Sequence, residues 1–209
     1  MTDFRSQAML DKHEIVELIQ NWGFWRDQGD WSRLRSTFHP EGTITVTWFS
    51  GLFSEFIRRS MEMRKTRSHS KHVIGGSMLG IAGNRATAET NVTITNRVVL
   101  KGVPTDSTAW GRFYDLLEKR DGAWRIVKRV AIYEKDRFDP LEPGTALPFT
   151  QADLREFPEA YRHLGYSLAQ GGFSVSPDLP TPGSEPLARL YAEGEAWLDS
   201  GTERGSRIA

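Results

Sequence analysis

The chain has 209 residues, with 27 Lys plus Arg balanced by 27 Asp plus Glu, no cysteine, and 38% hydrophobic residues. Zero formal charge argues against a nucleic-acid binder that works by counterion release, and the lack of cysteine excludes disulfide scaffolds, thiolate metal sites and thiol catalysis. The apolar content suffices for a core without covalent staples, and 7 Trp, 11 Phe and 5 Tyr are enough to line a pocket with aromatic rings.

The opening MTDFRSQAML has no apolar signal-peptide core, and no apolar run is long enough to span a bilayer, so a soluble cytoplasmic protein is expected. Residues 11–28 read as an amphipathic helix. Ile15, Leu18, Ile19, Trp22 and Trp25 recur at three- and four-residue steps, and Val16, Gly23 and Asp27 fall along one edge of the stripe. Gly29 ends this helix, and Asp30 stands as the N-cap of a short second one. Residues 43–49 alternate like a strand, and 54–66 read as a helix with Phe56, Ile57, Ser60 and Met61 facing one way. The period then switches to two. Strands are expected over 71–81, 85–100, 107–119 and 123–135, joined at Gly83-Asn84, around Gly102-Val103-Pro104 and at Asp121-Gly122. Helices followed by a long-stranded, curved antiparallel sheet make an α+β fold, without βαβ alternation. The composition changes after Asp139. The chain is therefore divided into a domain over 1–140 and a Pro-rich, helical extension over 141–209, with helices near 157–170 and 187–198. The extension must pack on the sheet, on a neighbouring subunit or over a pocket mouth. The final GTERGSRIA reads as disordered.

No phosphate-binding, nucleophile-elbow or zinc-protease motif occurs. None of the pairs among His13, His39, His69, His72 and His163 has helical metal spacing, and His69 and His72, three apart on a strand, should face opposite ways. No metal or other cofactor is expected. General acid–base chemistry needs only a few side chains. Asp27 lies at the margin of an aromatic helix face, and His72 begins a strand with Ile74, Gly76 and Met78 on its side. If the first helix covers the concave face of the sheet, the two can meet, and the carboxylate would fix the imidazole tautomer. Strand parity with Val92 and Ile94 turns Thr90, Asn96, Trp110, Arg112, Tyr114 and Lys128 inward, with Trp22 and Trp48 as further walls. Lys128, Arg112 or Tyr114 would supply a cation or phenol for a leaving group. The same parity sends Glu89 outward, and leaves Val99 and Phe113 on an outer face that calls for partial cover.

The order of these elements, and above all the run DQGDWSRLRSTFHPEG, resembles the SnoaL-like branch of the nuclear transport factor 2-like superfamily over residues 8–138. The resemblance implies a cone: a curved antiparallel sheet around a deep apolar pocket, closed by the N-terminal helices. It also implies cofactor-free lyase chemistry of the dehydratase, dehydrohalogenase or retro-aldol kind on a small aromatic or alicyclic substrate. Asp27 and His72 fall where such relatives carry an Asp–His pair, while Trp22 stands where some carry Tyr or Lys. A non-catalytic binding or assembly subunit, an isomerase and an epoxide hydrolase are the other uses of this scaffold. Homodimers and homotrimers both occur among its members.

Overall fold

Apolar residues at four- and three-residue steps build the first helix, α1 (Phe4–Gln28), and their stripe is buried: Ile15, Ile19 and Trp22 are at most 1% exposed. The computed structural model describes residues 4–66 and 70–202, so His69 and almost all of the expected disordered tail lie outside the described residues. Gly29 closes α1 in the left-handed conformation (φ 76°), and both its amide and that of Asp30 return to the carbonyl of Trp25. Asp30 then caps α2 (Trp31–Arg35), accepting from the Arg33 amide at 3.2 Å.

The remaining core follows in order: β1 (Phe38–Val46), β2 (Phe49–Leu52), α3 (Phe53–Thr66), β3 (Ser70–Ala82), β4 (Arg85–Leu100), β5 (Val103–Arg120) and β6 (Ala123–Pro140). The six strands form one sheet in the order β2-β1-β6-β5-β4-β3. Asp121 and Gly122 both take positive φ, as the tight β5–β6 hairpin requires. One pairing differs from the all-antiparallel expectation: β1 runs parallel to β6. The chain between them includes α3 and four strands, which supplies the long crossover that a parallel pair needs.

Register corrects the expected parity on β5 and β6. Val92 pairs with Gly111, Thr90 with Phe113, and Phe113 with Ala131. Directly opposed residues share a face. Gly111, Phe113, Arg129, Ala131 and Tyr133 therefore point inward with Val92 and Ile94. Trp110, Arg112, Tyr114 and Lys128 point outward. The alternation misleads because both faces of the sheet are covered, so large apolar side chains are no guide to the inside.

The extension supplies the outer cover. It forms α4 (Gln151–Leu154), a 3₁₀ turn (Glu159–Tyr161), α5 (Arg162–Gln170) and α6 (Glu185–Thr202). Leu187 and Leu190 of α6 bury Tyr114, Leu116, Val130 and Ile132 of the outer face. Gly194 lets the helix lie directly on the Tyr114 hydroxyl, where any Cβ would clash. No described helix is long and apolar enough to cross a membrane.

Candidate active site

A cavity of about 470 Å³ opens between α1, α3, α5 and the concave face of the sheet. Trp22, Trp48, Phe56, Ile94, Phe113 and Leu168 supply much of its apolar wall, and Arg26, Ser60, His72, Asn96 and Tyr133 bring polar groups to it. Its α3 face is a helical row: Phe56, Ser60, Met63 and Arg64 follow at steps of four, three and one. Met61, expected on that face, is 42% exposed instead.

Asp27 and His72 meet because α1 can approach β3 closely at Gly23. A Cβ built there would stand 2.7 Å from Ile74 Cγ1. One turn on, Asp27 reaches across to β3. His72 Nδ1 lies 2.6 Å from Asp27 Oδ1, and the His72 amide donates to Oδ2 at 2.9 Å. The two side chains are 9% and 10% exposed. Trp22 packs edge-on against the imidazole, with ring centroids 5.5 Å apart. A carboxylate in the last turn of a helix opposes the helix dipole. Arg64 offsets this by donating to the Asp27 and Gln28 carbonyls at 2.7 and 3.2 Å.

Burial works against ionisation of Asp27, but the hydrogen bonds and charge of His72, with help from Lys71, hold its carboxyl below the usual value. Burial lowers His72, the hydrogen bond to Asp27 opposes this, and the nearby Arg26 and Arg129 cations add to the lowering. At neutral pH the pair is thus a carboxylate beside a neutral imidazole. A carboxylate can only accept, so the proton of the ring sits on Nδ1 and Nε2 keeps its lone pair. That is the tautomer a general base needs.

The structure sorts the expected site residues into two groups. Trp22, Trp48, Ile94, Asn96 and His72 line the cavity, Asp27 backs His72, and Val92 is core just beneath. The other four belong to the outer face. Trp110 lies under Lys135 and Arg137. Arg112 binds Glu89, Glu134 and the Tyr191 hydroxyl, Tyr114 packs on Tyr191, and Lys128 reaches Glu193 at 2.7 Å. Three of these four hold α6, and Phe113, expected outside, is a cavity wall.

Sequence reading missed three features. Tyr133 lines the cavity, and its oxygen accepts from Thr47 Oγ1 at 2.6 Å and from the Thr47 amide, which leaves its own hydrogen free to donate. Burial raises this phenol, so it stays protonated. Asp115 and Arg129 form a fully buried two-point ion pair (2.6 and 2.7 Å), with the guanidinium 4.5 and 4.4 Å from the rings of Trp22 and Phe113. Arg26 was the one legible case, since it extends the stripe of Ile15, Ile19 and Trp22 by one turn. The mouth is closed by α5, tied down where Asp136 pairs with His163 at 2.6 Å and accepts the Leu164 amide at 2.7 Å. Among the described residues, no three histidines or carboxylates gather in a metal-binding arrangement.

A six-stranded curved sheet with helices across its concave side is the cone architecture of the nuclear transport factor 2-like superfamily. Residues 7–130 match the SnoaL-like domain family, and the chain belongs to it. Among relatives, it is 29% identical to pea pathogenicity protein 2 of Fusarium vanettenii, over 91% of this chain and 86% of that one. Solved structures with the same fold include hexachlorocyclohexane dehydrochlorinase type 3 from Novosphingobium barchaimii (TM-score 0.56, 16% identity, 68% of this chain and 97% of that one). A scytalone-dehydratase-like protein from Novosphingobium aromaticivorans is similar in shape (TM-score 0.55, 15% identity, 71% of this chain and 99% of that one).

Proposed function

We propose that this protein is a cofactor-independent lyase that removes a small group, such as water or halide, from a small aromatic or alicyclic substrate. The observation that carries the reading is the 2.6 Å bond between Asp27 and the nearly buried His72, beside an apolar cavity. Nε2 of His72 takes a proton from the carbon next to the one bearing the leaving group. The C–H pair becomes the new C=C bond, and the leaving group departs with its own bonding pair. Asp27 holds the ring and stabilises the imidazolium as it forms. The Tyr133 hydroxyl, in place of Arg112, Tyr114 or Lys128, donates to the departing or carbonyl oxygen. When hydroxide leaves, the imidazolium proton goes to it; when halide leaves as the anion, the proton passes to solvent water; in both cases His72 returns to its starting state. Fold alone does not select this chemistry; the paired base inside a ligand-sized cavity is what favours it over a binding or assembly role. Assembly into a homodimer or homotrimer is part of the same proposal, supported by the exposed Val73, Met78 and Val99 on the outer side of β3 and β4.

The test is a panel of aromatic and alicyclic β-hydroxy carbonyl compounds and halides, followed by the absorbance of the conjugated product. Removing a positioned general base should cost about 10²–10⁴-fold in rate, so His72→Ala should lose nearly all turnover while melting as the wild type does. A His72→Ala variant that turns over at the wild-type rate would falsify the mechanism.

A further inference from the structure

Arg26 is a cation on the wrong side of its helix by every ordinary rule. It continues the buried stripe of α1 and is 8% exposed. It lines the cavity, yet it makes no hydrogen bond or ion pair with any described residue, and its Nε is a buried donor with no partner. Its guanidinium carbon lies 5.7 and 5.6 Å from the ring centroids of Trp31 and Phe56. Burial pulls it down to about 10, with Asp27 opposing and Arg64 assisting, so it is charged at neutral pH. A buried, unpaired guanidinium is among the costliest groups a fold can carry.

Two further donors share the same wall and the same deficit. Ser60 Oγ and Trp22 Nε1 are buried with no hydrogen-bond partner among the described residues, and their residues are 0% and 1% exposed. The three belong together: Trp22 is one turn before Arg26 on α1, and Ser60 is one turn after Phe56, the ring beside Arg26. Among the described residues the cavity lining includes Arg26, Arg64 and Arg97 but no aspartate or glutamate, and Arg64 already serves the α1 carbonyls. Buried donors with no protein acceptor among the described residues suit an acceptor that arrives with a ligand.

We infer that the cavity takes an organic acid, with the carboxylate seated on Arg26 and with Ser60 Oγ–H and Trp22 Nε1–H as additional donors. A guanidinium fork matches the two oxygens of a carboxylate, and the apolar wall takes the ring or hydrocarbon body. The inference narrows the substrate class of the proposed lyase and rests on that reading for the cavity being its substrate site.

The test is equilibrium binding to the full chain without turnover. Benzoate and cyclohexanecarboxylate are compared with benzamide and cyclohexanecarboxamide, read by calorimetry and by quenching of the cavity tryptophans. The acids should bind at least about tenfold more tightly than the amides. Arg26→Met should bring the acids to the affinity of the amides, leave the amides unchanged, and melt no lower than the wild type. Arg26→Gln serves the same purpose should the Met variant fail to fold. Equal affinity of acid and amide for the wild type, survival of the preference in the Arg26 variants, or no binding of either acid at millimolar concentration overturns the inference. His72→Ala should keep the preference for acids, so a failure of the lyase chemistry and a failure of the anion site are read separately.

Discussion

The imidazole of His72 is held in one tautomer by one carboxylate, and its proton affinity is set by burial more than by that partner. Its ordinary value is 6.5, and it is lowered in the folded chain. A base that must be neutral then keeps working as the pH drops past 6.5, so the acid limb of kcat/KM should fall below that value, and a midpoint above it contradicts the assignment. Stability has the same sign. The unfolded chain takes up the His72 proton at about 6.5 and the folded chain only lower, so this group favours unfolding progressively as pH falls between those two values. Asp27 adds to the loss at still lower pH, because its depressed carboxyl contributes stability present above its unfolded value of 3.8 and lost as pH falls through the folded one. Asp27 and His72 were legible because each sits at a rule-bound position, the edge of a helical stripe and the start of a strand, and the family pattern joined them. Arg129 and Asp115 were not legible. Charged residues in mid-strand read as a solvated face, and only register reveals that these two pair with each other inside.

Elements place these residues through a few close contacts. Gly23 is the point where α1 meets β3, and Ala there gains about 0.5–1 kcal/mol of helix propensity. It would also force a methyl against Ile74 Cγ1, and overpacking of that kind costs about 1–3 kcal/mol. The second effect is the larger, so Gly23→Ala should unfold at lower urea and lose turnover as the Asp27–His72 bond lengthens. A variant more stable than wild type with full turnover contradicts this account of the helix seat. The helices and the long strands were readable from periods of 3.6 and 2 and from the Asp121-Gly122 turn. The facing of β5 and β6 was not, because parity was carried from Val92 without the hydrogen-bonded register. Trp110, Arg112 and Tyr114 looked like pocket groups and belong to the outer face, two of them beneath α6.

At the scale of the molecule, the extension covers both sides of the sheet: α5 closes the cavity and α6 covers the middle of the outer face. That leaves Val73, Met78 and Val99 exposed at 54%, 71% and 68%. Sedimentation velocity should show a dimer or trimer that charged substitutions at Val73 and Met78 dissociate, and a wild-type monomer at micromolar concentration contradicts the assembly proposal. The core of the whole account is an apolar cavity holding a neutral, correctly oriented base. Nitrogen-15 imidazole spectra at pH 7, with His72 assigned by His72→Gln, report this most directly. The account requires a neutral ring with its proton on Nδ1 and a free Nε2, changed by Asp27→Asn. A protonated His72 at that pH, or a ring carrying its proton on Nε2, contradicts it.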